Sequence, residues 1–210
     1  MNKRNYQREL DELLSSLPKE DGRKKRLFLH CCCAPCSSYV LEYLYPFFDV
    51  TIFFYNPNIV EKAEYVKRKD ELLRYLSEVS FGSEIHTLDA DYDPERFLQM
   101  AQGHENDPER GERCDLCFRM RLSETARQAS KGRYDYFCTT LSISPHKNAD
   151  MLMFIGEELA KQYKVPYLPS DFKKRNGYKR SIELSSLYHL YRQDYCGCIY
   201  SKRRGGLESE

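Results

Sequence analysis

Nine cysteines dominate the chemistry open to this chain: Cys31, Cys32, Cys33, Cys36, Cys114, Cys117, Cys138, Cys196 and Cys198. An odd number cannot pair completely within one chain, and three in a row suit no ordinary disulfide framework. The N-terminal stretch MNKRNYQRELDELL is charged and has no apolar signal core. A reducing compartment is therefore expected, the cytoplasm, where thiols persist and clustered cysteines are more often metal ligands or redox groups. Eight of them form three groups: Cys31-Cys32-Cys33-x-x-Cys36, Cys114-x-x-Cys117 and Cys196-Gly197-Cys198. Cys138 stands alone in an apolar run and reads as a small buried hydrophobe.

Cys114 and Cys117 are three residues apart in a predicted helix, so their sulfurs share a face. Adjacent Cys32 and Cys33 in a loop can turn inward together. Four thiolates from two distant segments make either a tetrahedral zinc site or an iron–sulfur cluster, and spacing alone does not separate the two. The surplus of sulfur and its place at an expected active-site edge favour the cluster. Cys196 and Cys198 form a close pair that could cycle between dithiol and disulfide, or complete a second metal site with Cys36. Cys31, at a strand end, reads as a packing residue. His30, His146 and Asp194 lie near these groups and are candidate proton donors.

The elements that must position these residues alternate along the chain. Residues 1–25 read as a helical extension with Leu10, Leu13, Leu14 and Leu17 as its apolar stripe. Strands are expected at 27–31, 50–55, 83–88, 134–139 and 165–168. Helices are expected at 37–47, from Asn58 onward with a stripe of Val66, Leu73, Leu76 and Val79, from Asp93-Pro94 to Met100, and at 112–130, 147–163 and 178–192. Strands separated by helices predict an α/β fold, a parallel sheet with helices on both faces. The domain is expected to span 26–201, with a basic, flexible tail at 202–210. Such sheets bind ligands at the carboxyl ends of their strands. The first cysteine group and the segment Thr140–His146 both fall there. The turn after the first strand, Cys-Cys-Ala-Pro-Cys-Ser, has no glycine to let backbone amides approach a phosphate, so sulfur chemistry takes the place of phosphate cradling.

Composition narrows the partners. Hydrophobic residues make up 41% and charged residues 31%, with no apolar run long enough to cross a bilayer, so a soluble globular protein is expected. The 33 basic and 32 acidic residues nearly cancel, so nucleic-acid binding must rest on local patches. Segment 171–180 supplies one: Lys173, Lys174, Arg175, Lys179 and Arg180, interleaved with Phe172 and Tyr178. That mixture suits phosphate contact with base stacking.

Four motifs in this order carry a resemblance: His30-x-Cys32-Cys33-Ala34-Pro35-Cys36-Ser37, Arg113-Cys114-x-x-Cys117, Thr139-Thr140-Leu141-Ser142-x-Ser144-Pro145-His146-Lys147, and Tyr195-Cys196-Gly197-Cys198. Over about residues 26–201 the chain resembles the cobalamin-independent epoxyqueuosine reductases of the QueH type. The resemblance implies a Rossmann-like α/β fold related to the adenine nucleotide alpha hydrolases, with the phosphate loop replaced by a cysteine-rich one. It implies reductive removal of the epoxide oxygen of epoxyqueuosine at the tRNA wobble position, with tRNA and an unidentified electron donor as partners. It implies a [4Fe-4S] cluster on Cys32, Cys33, Cys114 and Cys117, and a redox-active pair at Cys196 and Cys198. In some members the position of Cys36 is an aspartate near a second metal, so a second mononuclear iron or zinc site, Cys36 with Cys198, is a further expectation. Two rivals from other classes stand beside it: a zinc-stabilised RNA-binding protein without catalysis, which would be colourless, and a thiol–disulfide reductase, active without metal.

Overall fold

The computed structural model describes residues 4–17 and 23–205. Four parallel strands, β1 (Lys25–His30), β2 (Phe48–Phe54), β3 (His86–Asp89) and β4 (Tyr136–Thr139), lie in the order β3-β2-β1-β4. The eight helices of the described chain are α1 (Tyr6–Ser16), α2 (Ala34–Leu44), α3 (Lys62–Glu78), α4 (Pro94–Met100), α5 (Glu112–Lys131), α6 (Ala149–Tyr163), α7 (Gly177–Leu187) and α8 (Ile199–Gly205).

Alternation along the central strands sorts the core into two layers. Leu27, Leu29, Val50, Ile52 and Phe54 point to one face, where they meet α1, α2 and α3. Phe28, Phe53 and Phe137 point to the other, against Phe118 and Leu122 of α5 and Leu152 and Ile155 of α6. Burial on both faces is why these strands read as continuous apolar runs. Each fully buried Leu or Phe contributes about 1.5–3 kcal/mol. Leu10 and Leu14 of α1 are buried in the first layer, and Leu13 and Leu17 pack against it.

The chain leaves β1 for β2 on one side and reaches β4 on the other. The carboxyl ends of β1 and β4 therefore flank a topological switch point, the usual place for a ligand crevice.

Several elements differ from their predicted form for identifiable reasons. The first helix after β1 starts at Ala34 rather than 37, with Pro35 in its first turn, so Cys36 is helical. On α3 the buried residues are Tyr65, Arg68, Leu72, Tyr75 and Leu76. Val66 and Leu73 are exposed, because tyrosine rings and an arginine stem fill the inward stripe. Asn58 does not start that helix; Glu61 precedes its first turn. The strand expected at 165–168 shrinks to a single bridge, Phe137 with Tyr167; Pro166 has no N–H to extend a ladder. The last long helix stops at Leu187, after which His189 takes a left-handed φ of 49°. The expected tail from 202 onward begins inside α8, and residues 206–210 lie outside the described chain.

Candidate active site

The first cysteine group grows out of β1. Cys31 N–H still bonds across the sheet to Phe53 O at 3.0 Å, and the Cys31 sulfur is fully buried. The backbone then turns into α2, with Cys33 as its N-cap. The Cys32 and Cys33 sulfurs stand 3.7 Å apart. Among the described residues, Cys32, Cys33 and Cys36 bring three sulfurs within 4.8 Å of one another, a set able to hold a metal ion. The contacts of Cys32 with the Cys33 and Cys36 thiols, aided by the charge of Arg121, hold its pKa well below the ordinary thiol value. Cys33, sharing its proton with Cys32, is pushed up to about 12. One thiolate is thus favoured at a helix N-terminus, where the helix dipole adds to the effect.

The second group sits at the start of α5. Arg110 N–H donates to the Cys114 sulfur at 3.3 Å. Cys114 packs against the layer that holds Cys32 and Cys33. Cys117, one turn on, is buried with Cys198 against Phe97 and Ala101, and burial pushes its thiol up to about 11. The structure therefore places the four expected cluster ligands on adjoining elements, but the tight sulfur group is Cys32, Cys33 and Cys36. Cys36, in the first turn of α2, lies with Cys32 and Cys33, and Cys198 is not a member of that group.

The third group rides on an irregular strap, residues 188–198, laid across α3. Arg74 Nη2 donates to Tyr188 O at 2.9 Å, Tyr191 N–H to Glu71 Oε1 at 2.6 Å, and Arg68 Nη2 to Tyr195 O at 3.3 Å. Asn58 Nδ2 donates to Cys196 O at 3.2 Å. Gly197 has φ 96°, and a Cβ there would stand 2.7 Å from Ile59 Cγ1, so glycine is required twice over. The Cys198 thiol lowers the pKa of Cys196 by hydrogen bonding, with Lys147 adding positive charge. Burial opposes the charge of Lys147, but Cys196, Glu109, Cys114 and Cys117 more than offset it and raise its pKa.

A cavity of about 610 Å³ joins the first and third groups. Cys32, Cys36 and Cys196 open onto it, with Arg121, His146 and Asp194 among its other walls. His146 and Asp194 are exposed on the cavity wall, as a proton donor to a bound substrate must be. His30 is different. It is fully buried, 2.8 Å from Thr139 Oγ1, and burial lowers its pKa to about 3. It is a neutral brace, so its expected proton-donor role is not what the fold gives it. Cys138 is buried beside Ser170, in the core layer of Cys31 and outside the Cys32, Cys33 and Cys36 group.

The basic segment is partly spent on folding. Lys173 pairs with Asp171 at 2.6 Å, Arg175 with Asp11 of α1, and Arg180 with Glu42 at 2.7 Å. Lys174 and Lys179 are exposed and make no ion pair among the described residues, while Tyr178 lines the cavity. Sequence reasoning missed Asn56, Asn58, Gln193 and Arg121. Only Arg121 carried a signal, its place four residues after Cys117 on one helix face.

The architecture and site define a class: a doubly wound parallel α/β protein whose switch point carries thiols where related folds hold phosphate. A family model described as "QueH: Epoxyqueuosine reductase QueH" matches residues 27–204. The chain belongs to that family. It is 43% identical over 206 residues to the epoxyqueuosine reductase QueH of Streptococcus pyogenes serotype M1, covering 97% of this chain and 80% of that one. It is 40% identical to the protein of the same name from Staphylococcus epidermidis, covering 97% and 87%. It is 32% identical to that of Thermotoga maritima, covering 83% and 89%.

Proposed function

We propose that this chain is an epoxyqueuosine reductase acting on tRNA, removing the epoxide oxygen of the wobble nucleoside to leave an alkene. One observation carries the reading beyond family membership. Cysteines from two distant segments, Cys32 and Cys36 after β1 and Cys196 of the strap, line a single cavity at the switch point, in the place of a phosphate loop, and Cys114 packs against the same core layer as Cys32 and Cys33. The reaction consumes two electrons and two protons and releases water.

The donor set suits an iron–sulfur group: thiols only, a thiolate favoured at Cys32, two helix N-termini and buried cations nearby. Cys32, Cys33, Cys114 and Cys117 would hold a [4Fe-4S] cluster, which supplies electrons one at a time. Cys36 adds a third thiol beside Cys32 and Cys33 and is the candidate ligand for a second mononuclear iron or zinc, with Cys198 as the more distant partner. Cys196 and Cys198 would serve as a dithiol that gives up electrons and closes to a disulfide. His146 or Asp194, on the cavity wall, would deliver a proton to the developing alkoxide. An electron donor, not identified by the fold, recharges the site. A cytoplasmic location is supported by this thiol content, because thiols persist in a reducing compartment. No helix among the described residues is long and apolar enough to cross a membrane.

For tRNA contact the segment from Lys173 to Arg180 supports the reading through its unpaired lysines and through Tyr178. An anticodon loop offers bases that can be splayed and stacked on such a ring. Reversing Lys174 and Lys179 to glutamate should weaken tRNA binding and flatten its salt slope by about 0.7–0.9 per lost phosphate contact. Unchanged affinity would remove the segment from the interface. The activity itself is tested by anaerobic purification, iron and sulfide analysis, and conversion of tRNA carrying the epoxide. A colourless zinc protein without turnover would favour the binding-module rival, and turnover by metal-free protein the thiol reductase.

A further inference from the structure

Three arginines are almost wholly buried beside the cavity, and their partners differ. Arg68 is 1% exposed and bonds Glu64 Oε1 at 2.6 Å. Arg113 is 2% exposed and gives Nη1 to the carbonyls of His104, Glu105 and Asp107. Arg121 is 3% exposed and has neither kind of partner. Its Nη2 donates to the neutral amide oxygen of Asn56 at 2.6 Å, and its Nε faces the ring of His30 at 3.3 Å. No carboxylate among the described residues lies within salt-bridge distance of it. A buried cation without a counter-charge is costly, by several kcal/mol. Yet Asn56 and His30 hold this one rigidly, and its helix places it one turn after Cys117 on a face that also looks onto Cys32.

We propose that Arg121 is the fixed counter-charge of the sulfur centre, a positioning residue that stabilises the more negative, reduced state and so raises its reduction potential. The inference rests on the iron–sulfur reading above. Net charge and hydrogen bonding near the sulfurs set such potentials. Asn56 enters the argument as the tether: its Nδ2 donates to Cys31 O at 2.9 Å while its Oδ1 holds the guanidinium, so one amide fixes the cation relative to the cysteine loop.

Two substitutions remove the charge in different ways. Arg121→Gln deletes it. Asn56→Asp leaves the arginine in place and gives it the carboxylate it lacks. Both should retain iron and sulfide and shift the midpoint potential to more negative values, by about tenfold in the reduction equilibrium, which is about 59 mV for one electron. Arg121→Lys keeps the charge and should recover most of that shift. The measurement is an anaerobic dye-mediated optical titration, with iron and sulfide analysis of each variant. Wild-type potential in both charge-removing variants at full iron content would overturn the proposal. So would equal loss of iron in Arg121→Gln and Arg121→Lys, which marks a structural brace. Wild-type protein that takes up no iron or sulfide would instead sink the cofactor reading, and this proposal with it.

Discussion

The loop of Cys32, Cys33 and Cys36 and the strap of Cys196 and Cys198 carry the same functional group on opposite kinds of support. The loop continues a central strand, is tied across the sheet by backbone, and runs straight into a helix. The strap has no regular structure and is fastened to α3 by side chains: Glu71, Arg74, Arg68 and, from the neighbouring loop, Asn58. Sheet and helix fix sulfur positions to within the tolerance of a packed core. Polar fastenings on an irregular segment open locally at lower cost. A ligand set wants the first kind of support. A pair that must swing together to form a disulfide wants the second.

The largest test of this contrast is a split phenotype. Cys32→Ser or Cys33→Ser should abolish both iron binding and turnover. Cys196→Ser or Cys198→Ser should abolish turnover while iron, sulfide and absorbance persist. Loss of iron in all four variants would erase the distinction and make the strap cysteines ligands. Next in size is Gly197→Ala, which forces a side chain against Ile59 at a positive φ. It should reduce turnover by about tenfold or more, through a local strain of about 1–3 kcal/mol, with iron content unchanged.

Asn58→Ala should act more weakly. It breaks the bond to Cys196 O, worth about 1 kcal/mol, but also removes a buried Oδ1 that has no partner. The net effect should be visible as faster hydrogen exchange at 195–198 with little change in melting temperature. The smallest effect concerns acid. Hydrogen bonding from Arg74, and from Tyr191 N–H, holds Glu71 below the usual carboxylate range. Its contribution to strap docking is full above the unfolded glutamate pKa and is lost as pH falls through the lower folded value. Exchange at 188–196 should therefore rise in acid, and Glu71→Gln should remove that dependence.

The elements bearing the first two cysteine groups were legible because each signal was local. β1 and β2 are apolar runs, and α5 carries a three-residue cysteine spacing at its start. The strap was not legible, since 188–198 has no period and its helix ends on a histidine in the left-handed region rather than on a glycine. The basic segment was legible as charge but not as pairing: Arg175 and Arg180 are held by Asp11 and Glu42, more than a hundred residues away in sequence. Arg121 was legible only as a residue one turn after Cys117, not as an unpaired charge. What sets it apart is a missing carboxylate, and a missing partner leaves no mark in a sequence with 33 basic residues.

The short turn after β2 reaches both sulfur groups at once. Asn56 grips the carbonyl of Cys31, Asn58 grips that of Cys196, and Ile59 fills the notch beside Gly197. Those residues act as a spacer bar: lengthening or shortening the turn by a single position would leave each thiol group intact in itself and change only the gap between them.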